Sequence, residues 1–358
     1  MKRYLILEDG TSFAGESFGA ETISTGELAV QTSNFGYQEA LTDPTNAGKI
    51  LVFTTPVIGT TGINSIDYEA IDPNVRGIIC NEIATHISDS PNFQELDYFL
   101  KEKKIPAIYG VDTRALAHKI SNQSKIKASI MDTNDEHAFD QIRALVLPKN
   151  KTATISTSNS YAAPNIGKTI AVVDLGLKHS MLRELSLRKA NIIVVPFNSK
   201  PQDILNLKPD GLVISNGPGT AAEVKKGLAP LFDEFYGKLP ILGIGLGFLA
   251  ICDYLDIELI DLPKPFNGVN YPVILQNSNT IWQTAMNIPQ LALSENVALS
   301  ENGGINFTET YYDLHSDLLA GFYLKDKEVL ATAFNPEGAP GSFDGLRIFD
   351  QFMQLMEK

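Results

Sequence analysis

Cysteine is scarce in this sequence, and its scarcity excludes two common kinds of site. Only two cysteines, Cys80 and Cys252, occur among the 358 residues, which is too few for a disulfide framework. Neither cysteine stands in a spacing typical of metal ligands, so we expect no metal site in this chain. Because free cysteine is among the most buried residue types, we expect both side chains to be buried thiols.

Positive charge and long apolar runs are lacking too. The chain has 29 lysines and arginines against 42 aspartates and glutamates, for a formal net charge of -13. Nucleic-acid surfaces need clustered basic side chains that displace counterions, so we expect no nucleic-acid partner. The longest apolar run, residues 239–252, is shorter than the roughly 20 residues of a spanning helix and contains three glycines, so we expect no membrane partner.

The beginning of the chain also lacks the features of a signal peptide. The segment MKRYLILEDG indicates a strand entering a turn, because Glu8 and Asp9 interrupt its apolar residues. We therefore expect a cytoplasmic protein. The G-x-x-x-x-G-K-[ST] pattern of a nucleotide-binding loop does not occur, and we expect no cofactor in this chain.

The residues that are present predict a globular protein of two domains. Its length suggests about two domains at roughly 150 residues each, and 44% of the residues are hydrophobic. Residues 1–150 combine short alternating strands and turns with helices predicted over 93–104 and 113–121, an α+β pattern. Residues 151–167, rich in Ser, Thr, Asn and Ala, predict a linker, and residues 168–358 form the second domain.

The second domain shows the pattern of an α/β fold. Continuous apolar strands alternate with helical segments from Lys168 onward, which predicts a mostly parallel sheet covered by helices. Ligands of such sheets bind beyond the carboxyl ends of the strands. Two glycine-rich clusters, SNGPG at 215–219 and GIGLG at 243–247, follow strands and are therefore predicted at that edge.

The second of these clusters has the form of a nucleophile elbow without a nucleophile. Small residues on both sides allow a sharp turn that lifts the central side chain into a site at the start of a helix. The central residue is Gly245, which has no side chain and would relax a strained turn by roughly 1 kcal/mol. A phosphate-binding turn is the alternative, although the third glycine of a dinucleotide fingerprint is missing and Ala250 is the nearest small residue.

The segment LPILGIGLGFLAICDYL resembles the G-I-C-L-G-H-Q motif of class I glutamine amidotransferases, with Gly245 at the cysteine position. This resemblance implies a catalytic triad completed by an H-P-E motif, where the chain has Asn335-Pro336-Glu337. An asparagine amide does not titrate near pH 7, so even a restored thiol would lack its base. We therefore expect no glutamine hydrolysis. Cys252 lies too far along the following helix to replace the nucleophile, and we expect the histidines to be surface or structural residues: His86, His118, His137, His179 and His315.

The same resemblance implies a vestigial pocket for glutamine. Leu249 stands at a glutamine position of the family and cannot hydrogen-bond an amide, while Ala285 and Met286 alter the wall. Gly217 and Leu246 still match the family, including backbone positions on the oxyanion side. The substrate-binding positions implied by the resemblance are Thr45, Gly217, Gly219, Leu246, Leu249, Gln283, Ala285 and Met286.

The first domain makes the resemblance more specific. Its segments LEDGTSFAGESFGA, TGELAVQTSNFGYQEALTDPTNAG, PVIGTTGIN and VDTRALAHKI resemble the small subunit of carbamoyl-phosphate synthetase, as do DLGLKHSMLREL and NPEGAPGSFDG in the second. The resemblance spans nearly the whole chain. It implies a large subunit, which binds ATP and magnesium and makes carbamoyl phosphate for arginine or pyrimidine synthesis.

Three hypotheses follow from this family frame with a degenerate site. In the first, the chain is a docking, structural or regulatory partner of a large subunit that uses free ammonia. In the second, it is a stand-alone pseudoenzyme that binds glutamine or another small ligand. The third, an active glutaminase within the ligase complex, needs a nucleophile that the sequence does not show.

Overall fold

A computed structural model describes residues 1–84, 93–121, 126–134, 137–148, 150–276, 278, 280–293 and 307–357, without the side chains of residues 137 and 138. The chain divides into two compact units, Met1–Pro148 and Lys149–Lys358. Within the described part of the chain, no helix is both long and apolar enough to cross a membrane.

The first unit is built around a closed barrel. Seven strands follow one another in the order β1-β2-β8-β6-β4-β3-β9, and β9 pairs with β1 to close the circle. The inner strands β3, β4, β6 and β8 are parallel to one another, and the remaining pairs are antiparallel. The strands of this unit are β1 (Lys2–Leu7), β2 (Ser12–Gly19), β3 (Ser24–Gln31), β4 (Lys49–Phe53), β5 (Val57–Ile58), β6 (Gly77–Ile79), β7 (Glu82–Ile83), β8 (Pro106–Tyr109) and β9 (Lys127–Met131).

Helices pack around this barrel, and the sequence predicts two of them. The side chain of Asp112 accepts the N–H of Ala115 at 2.9 Å and so caps the third helix, as acidic residues do at helix starts. The segment predicted at 93–104 forms the second helix, and the segment at 113–121 forms the third. The helices are α1 (Tyr37–Thr42), α2 (Leu96–Glu102), α3 (Thr113–Ile120) and α4 (His137–Ala144).

The second unit contains one ten-stranded sheet. Five central strands, in the order β12-β11-β13-β14-β19, are parallel, which confirms the α/β class of this domain. Antiparallel strands extend the sheet on both sides of this parallel part. The strands are β10 (Tyr161–Ala163), β11 (Thr169–Asp174), β12 (Asn191–Pro196), β13 (Gly211–Ile214), β14 (Ile241–Ile244), β15 (Leu259–Leu275), β16 (Thr280–Ala292), β17 (Glu309–Asp313), β18 (Leu319–Leu324) and β19 (Val329–Thr332).

Of the described helices of this unit, three connect parallel strands, as the alternating pattern predicts, and the other two follow β14 and β19. The strands β13 and β14 are buried along their whole length, which explains why they consist almost entirely of aliphatic residues and glycine. The helices are α5 (His179–Leu187), α6 (Pro201–Asn206), α7 (Ala221–Phe235), α8 (Leu246–Tyr254) and α9 (Arg347–Leu355).

The segment at 151–167, predicted as a linker, is instead part of the second unit. Its residues Tyr161–Ala163 form β10, which pairs antiparallel with β12 at the edge of the sheet. Thr152 is buried, and its hydroxyl donates to the main-chain oxygen of Pro218 at 3.1 Å. These contacts are made by main-chain and hydroxyl groups rather than by an apolar face, so the polar composition of the segment does not reveal them.

Candidate functional site

Gly245 forms a sharp turn between β14 and α8. Its backbone angles are φ 54° and ψ -109°, in a region that residues with a side chain rarely adopt. The N–H of Gly245 donates to the main-chain oxygen of Thr332 on the neighbouring strand at 2.7 Å. The carbonyl of Gly245 accepts the N–H of Leu249 at 3.0 Å, which begins the helix. The turn therefore has the geometry of a nucleophile elbow, with the central side chain missing.

The glycine after the turn serves close packing. A Cβ at Gly247 would overlap the main-chain oxygen of Ile214, so a side chain there would push α8 away from β13. This contact places the start of the helix directly beside the end of β13. The loop that follows β13 carries Asn216 and Gly217 to the elbow.

The side chain of Asn216 fills the space above Gly245. A Cβ at Gly245 would overlap the carboxamide group of Asn216. Asn216 is itself buried, with 3% of its surface exposed. The position from which a nucleophile would project is therefore occupied by an amide of the chain itself.

Each end of the Asn216 amide is hydrogen-bonded at the elbow. Its Oδ1 accepts the N–H of Gly217 at 2.7 Å and the N–H of Leu246 at 2.9 Å. These two N–H groups are the backbone positions that the family resemblance implies on the oxyanion side. Its Nδ2 donates to Oδ1 of Asn335 at 2.9 Å. The amide therefore takes the donors that a charged intermediate of amide hydrolysis would use.

Asn335 is held beside the elbow by a short antiparallel bridge. Its N–H donates to the main-chain oxygen of Ala285 at 2.9 Å, and its side chain is buried. The structure thus brings together Gly245 and Asn335, the two positions that the sequence identifies as degenerate, through the side chain of Asn216. An amide has no proton-accepting nitrogen near neutral pH, so neither member of this pair carries a titratable side chain.

Glu337, the remaining acidic member of the predicted triad, forms a buried ion pair. The distance from its Oε1 to Nζ of Lys178 is 3.4 Å, and each of the two side chains is 2% exposed. Lys178 also donates to the main-chain oxygen of Ala339. Glu337 is therefore engaged by a cation that follows β11. The hydrogen bond between Asn216 and Asn335 does not involve Glu337.

The predicted glutamine positions in the second unit are largely covered. Leu246, Leu249, Ala285 and Met286 are buried, with Leu249 completely so. Gln283 donates through its side chain to Oδ1 of Asn270. Four of these residues are apolar and buried, and the side-chain amide of Gln283 is hydrogen-bonded to Asn270. Their side chains therefore present few polar groups to a ligand.

The other predicted binding positions behave differently. Gly217 lies against the main-chain oxygen of Leu175, where a Cβ would overlap it. Gly219 has φ 110°, and a Cβ there would approach the carboxylate of Glu223. Thr45 lies in the first unit, where its hydroxyl donates to Oδ1 of Asp43 at 2.6 Å. Gly217 thus serves close backbone packing and Gly219 serves a turn with positive φ, while the Asp43 carboxylate, which also accepts the Thr45 N–H at 2.8 Å, caps the turn that contains Thr45.

Neither cysteine is placed to act as a nucleophile. Cys252 lies in the last turn of α8 and is completely buried, and this burial raises the pKa of its thiol. Burial also raises the pKa of Cys80, in the first unit, to about 12. Both are buried thiols, as the sequence predicts. A thiol with so high a pKa forms almost no thiolate at neutral pH, and the thiolate is the reactive species.

The histidines lie at scattered positions. His118 is exposed on α3, His179 begins α5, and His315 is exposed after β17. His137 begins α4, and His86 lies outside the described residues. Among the described side chains, no group of three or more histidines, cysteines or carboxylates could hold a metal ion.

An aromatic cluster flanks the residue next to Asn335. The ring of Trp282 lies 5.1 Å from that of Tyr311 and 6.1 Å from that of Phe334, which precedes Asn335 in the chain. The guanidinium of Arg347 lies 4.6 Å from the centre of the Trp282 ring, within the range of a cation–π contact. This packing fixes the segment that carries Asn335.

Sequence reasoning did not find the roles of Asn216 and Lys178. Asn216 lies within the SNGPG cluster, but the pattern does not say that its side chain turns toward the elbow. A glycine at the centre of an elbow leaves the space of the missing side chain open. This glycine is the one signal in the sequence that a neighbouring side chain fills that space. No pattern in the sequence indicates the role of Lys178, because its partner Glu337 lies far away in the sequence.

The parallel sheet and the glycine-flanked elbow at the end of a central strand define the second unit as a class I amidotransferase-type domain. Family comparison agrees, since the model described as "Glutamine amidotransferase class-I" matches residues 171–355. The model described as "Carbamoyl-phosphate synthase small chain, CPSase domain" matches residues 5–130.

Relatives extend this likeness over the whole chain. The carbamoyl phosphate synthase small chain of Lactococcus lactis subsp. lactis (strain IL1403) is 40% identical over 358 residues, covering 99% of this chain and 98% of the relative. That of Streptococcus pyogenes serotype M3 (strain ATCC BAA-595 / MGAS315) is 39% identical over 362 residues, again covering 99% and 98%. The solved structure of a protein assigned as a GMP synthase component, from Thermoplasma acidophilum, covers 53% of this chain and 94% of its own, with 23% identity and a TM-score of 0.45. The chain belongs to the carbamoyl-phosphate synthase small chain family.

Proposed function

We propose that this chain is a small chain that no longer hydrolyses glutamine and acts as a docking, structural or regulatory partner of an ammonia-using large chain. The observation that carries the proposal is the hydrogen bond between Asn216 and Asn335 above Gly245. Hydrolysis of an amide by a thiol enzyme needs a nucleophile and a base that takes its proton. At this elbow the nucleophile position is Gly245 and the base position is Asn335, and neither residue has a titratable side chain.

The rest of the chain supports a role that depends on surfaces. The family match covers residues 5–130, outside the amidotransferase-type domain, and the relatives match over almost their full length. A chain that binds the native state of a partner stabilises that partner by mass action, even without catalysis. ATP and magnesium would then be bound by the large chain.

The experiment that tests this proposal is co-expression with the large chain from the same source, followed by purification of the complex. Carbamoyl phosphate formation is then measured with ammonium and, separately, with glutamine freed of ammonium. We expect a stable complex that is active with ammonium and inactive with glutamine. Activity with glutamine would contradict the proposed loss of hydrolysis, and failure to form a complex would contradict the docking role.

Calorimetry with the isolated chain separates this proposal from the stand-alone pseudoenzyme. The buried Leu249 and the hydrogen-bonded Asn216 amide leave few polar groups for the glutamine side chain. We therefore expect no saturable heat when glutamine is added to the isolated chain. Saturable binding in the absence of any partner would favour a ligand-binding module.

A further inference from the structure

The amide of Asn216 and the substrate of an amidotransferase share one functional group, a primary carboxamide. The oxygen of the Asn216 amide lies within 2.7 and 2.9 Å of the nitrogens of Gly217 and Leu246. Donors at this distance are suited to hold the carbonyl oxygen of an amide. The nitrogen of the same group is held by Asn335 at 2.9 Å.

We propose that Asn216 is an internal ligand of the elbow, a primary carboxamide of the chain itself that occupies the site of a ligand amide. Three observations carry this step. The group is buried, its oxygen and nitrogen are both hydrogen-bonded at the elbow, and it overlaps the place of a Cβ at Gly245. This inference rests on the proposed loss of glutamine hydrolysis in one respect, because a nucleophilic side chain at position 245 would displace the Asn216 amide.

This arrangement has a consequence for binding. An external amide can reach the two N–H groups only if the Asn216 side chain leaves, and departure breaks its hydrogen bonds inside a buried site. Removal of the side chain should therefore convert the elbow into a small cavity with two donors and one acceptor. Such a cavity fits a molecule the size of formamide, which carries the same carboxamide and has a hydrogen in place of the Cβ that Asn216→Ala retains.

The test compares the unaltered chain with Asn216→Ala and with Asn206→Ala, an exposed asparagine on α6 whose side-chain oxygen accepts a single hydrogen bond from Gln202. Each is titrated with formamide and with N,N-dimethylformamide, which has no N–H to donate to Asn335. Nitrogen–proton NMR follows the main-chain amides of Gly217 and Leu246, and thermal unfolding gives Tm.

We expect Asn216→Ala to lower Tm by roughly 5–10 °C and to speed hydrogen exchange at Leu246 and Gly217 by about tenfold or more. Formamide should reverse both changes saturably in this variant alone, and dimethylformamide should not. An equal response of the unaltered chain, or none in Asn216→Ala, would overturn the proposal.

The unaltered chain gives a second readout if Asn216→Ala does not fold. The Nδ2 hydrogens of Asn216 should exchange with solvent much more slowly than those of the exposed Asn206 in the same spectrum. Equal exchange rates for these two side chains would overturn the proposal. Neither measurement depends on a large chain, so failure here is distinct from failure of the ammonium assay.

Discussion

The Nδ2 group of Asn216 donates a 2.9 Å hydrogen bond to Oδ1 of Asn335, so two neutral amides meet beside the main chain of Gly245. Neither amide titrates near neutral pH. This hydrogen bond therefore does not depend on pH, unlike a contact between a thiol and an imidazole. The relationship links two substitutions that are distant in the sequence, at positions 245 and 335, through a third residue.

The first prediction concerns the space above the elbow. Gly245→Ala should lower the free energy of unfolding by about 3 kcal/mol, because the turn has φ 54° and the new methyl group would displace the Asn216 amide. Gly237→Ala is the matched control, since Gly237 has φ 70° but faces the flexible side chain of Lys327. It should cost about 1 kcal/mol. Urea unfolding followed by circular dichroism measures both, and equal costs would refute the overlap.

The second prediction concerns the buried pair of Lys178 and Glu337. Lys178→Met should lower the free energy of unfolding by about 3 kcal/mol, because it leaves the Glu337 carboxylate in a buried site without this cation. Lys238→Met removes an exposed pair with Glu234 on α7 and should cost about 0.5 kcal/mol or less. In Lys178→Met/Glu337→Gln, part of the loss should be recovered, and a loss equal to the sum of both single variants would contradict the coupling.

The third prediction concerns thiol reactivity. Burial raises the pKa of Cys80 to about 12 and also raises that of Cys252. A thiol-specific disulfide reagent at pH 8 should therefore find almost no reactive thiol in the native chain and both thiols after unfolding in guanidinium. Rapid reaction of one thiol in the native chain would reopen the possibility of an alternative nucleophile.

The fourth prediction concerns restoration of the chemistry. Gly245→Cys alone should leave glutamine hydrolysis at the level of the unaltered chain, because Asn335 cannot accept the thiol proton. Gly245→Cys/Asn335→His supplies both groups, and its rate should exceed that of the single thiol variant by about a hundredfold or more. Ammonia release from glutamine measures all three proteins. Equal rates for the single and double variants would contradict the prediction that the missing base limits the reaction of the restored thiol.

Much of the second unit could be predicted because its local patterns agree with its burial. The apolar runs at Thr169–Asp174 and Ile241–Ile244 are buried central strands, and the glycine-flanked turn at Gly245 leads into a helix. In such segments the same residues determine local conformation and packing, so a pattern in the sequence carries both. The helices α2 and α3 follow the same rule.

The features that escaped prediction depend on contacts between distant parts of the chain. Strand β15 has mixed burial and pairs with β16 through shifts in register, which no alternating pattern announces. The closure of the first unit into a barrel depends on pairing between the distant strands β1 and β9. The direction of the Asn216 side chain likewise depends on the void left by a missing Cβ at position 245.

The position of Trp282 gives the chain a built-in optical probe. It is the only tryptophan in the sequence, it is buried in the second unit, and it packs on Phe334 beside Asn335. Its fluorescence should therefore report on the surroundings of the elbow alone, while far-ultraviolet circular dichroism reports on both units. Melting curves recorded by the two methods would coincide if the units unfold together and separate if the barrel and the ten-stranded sheet unfold independently.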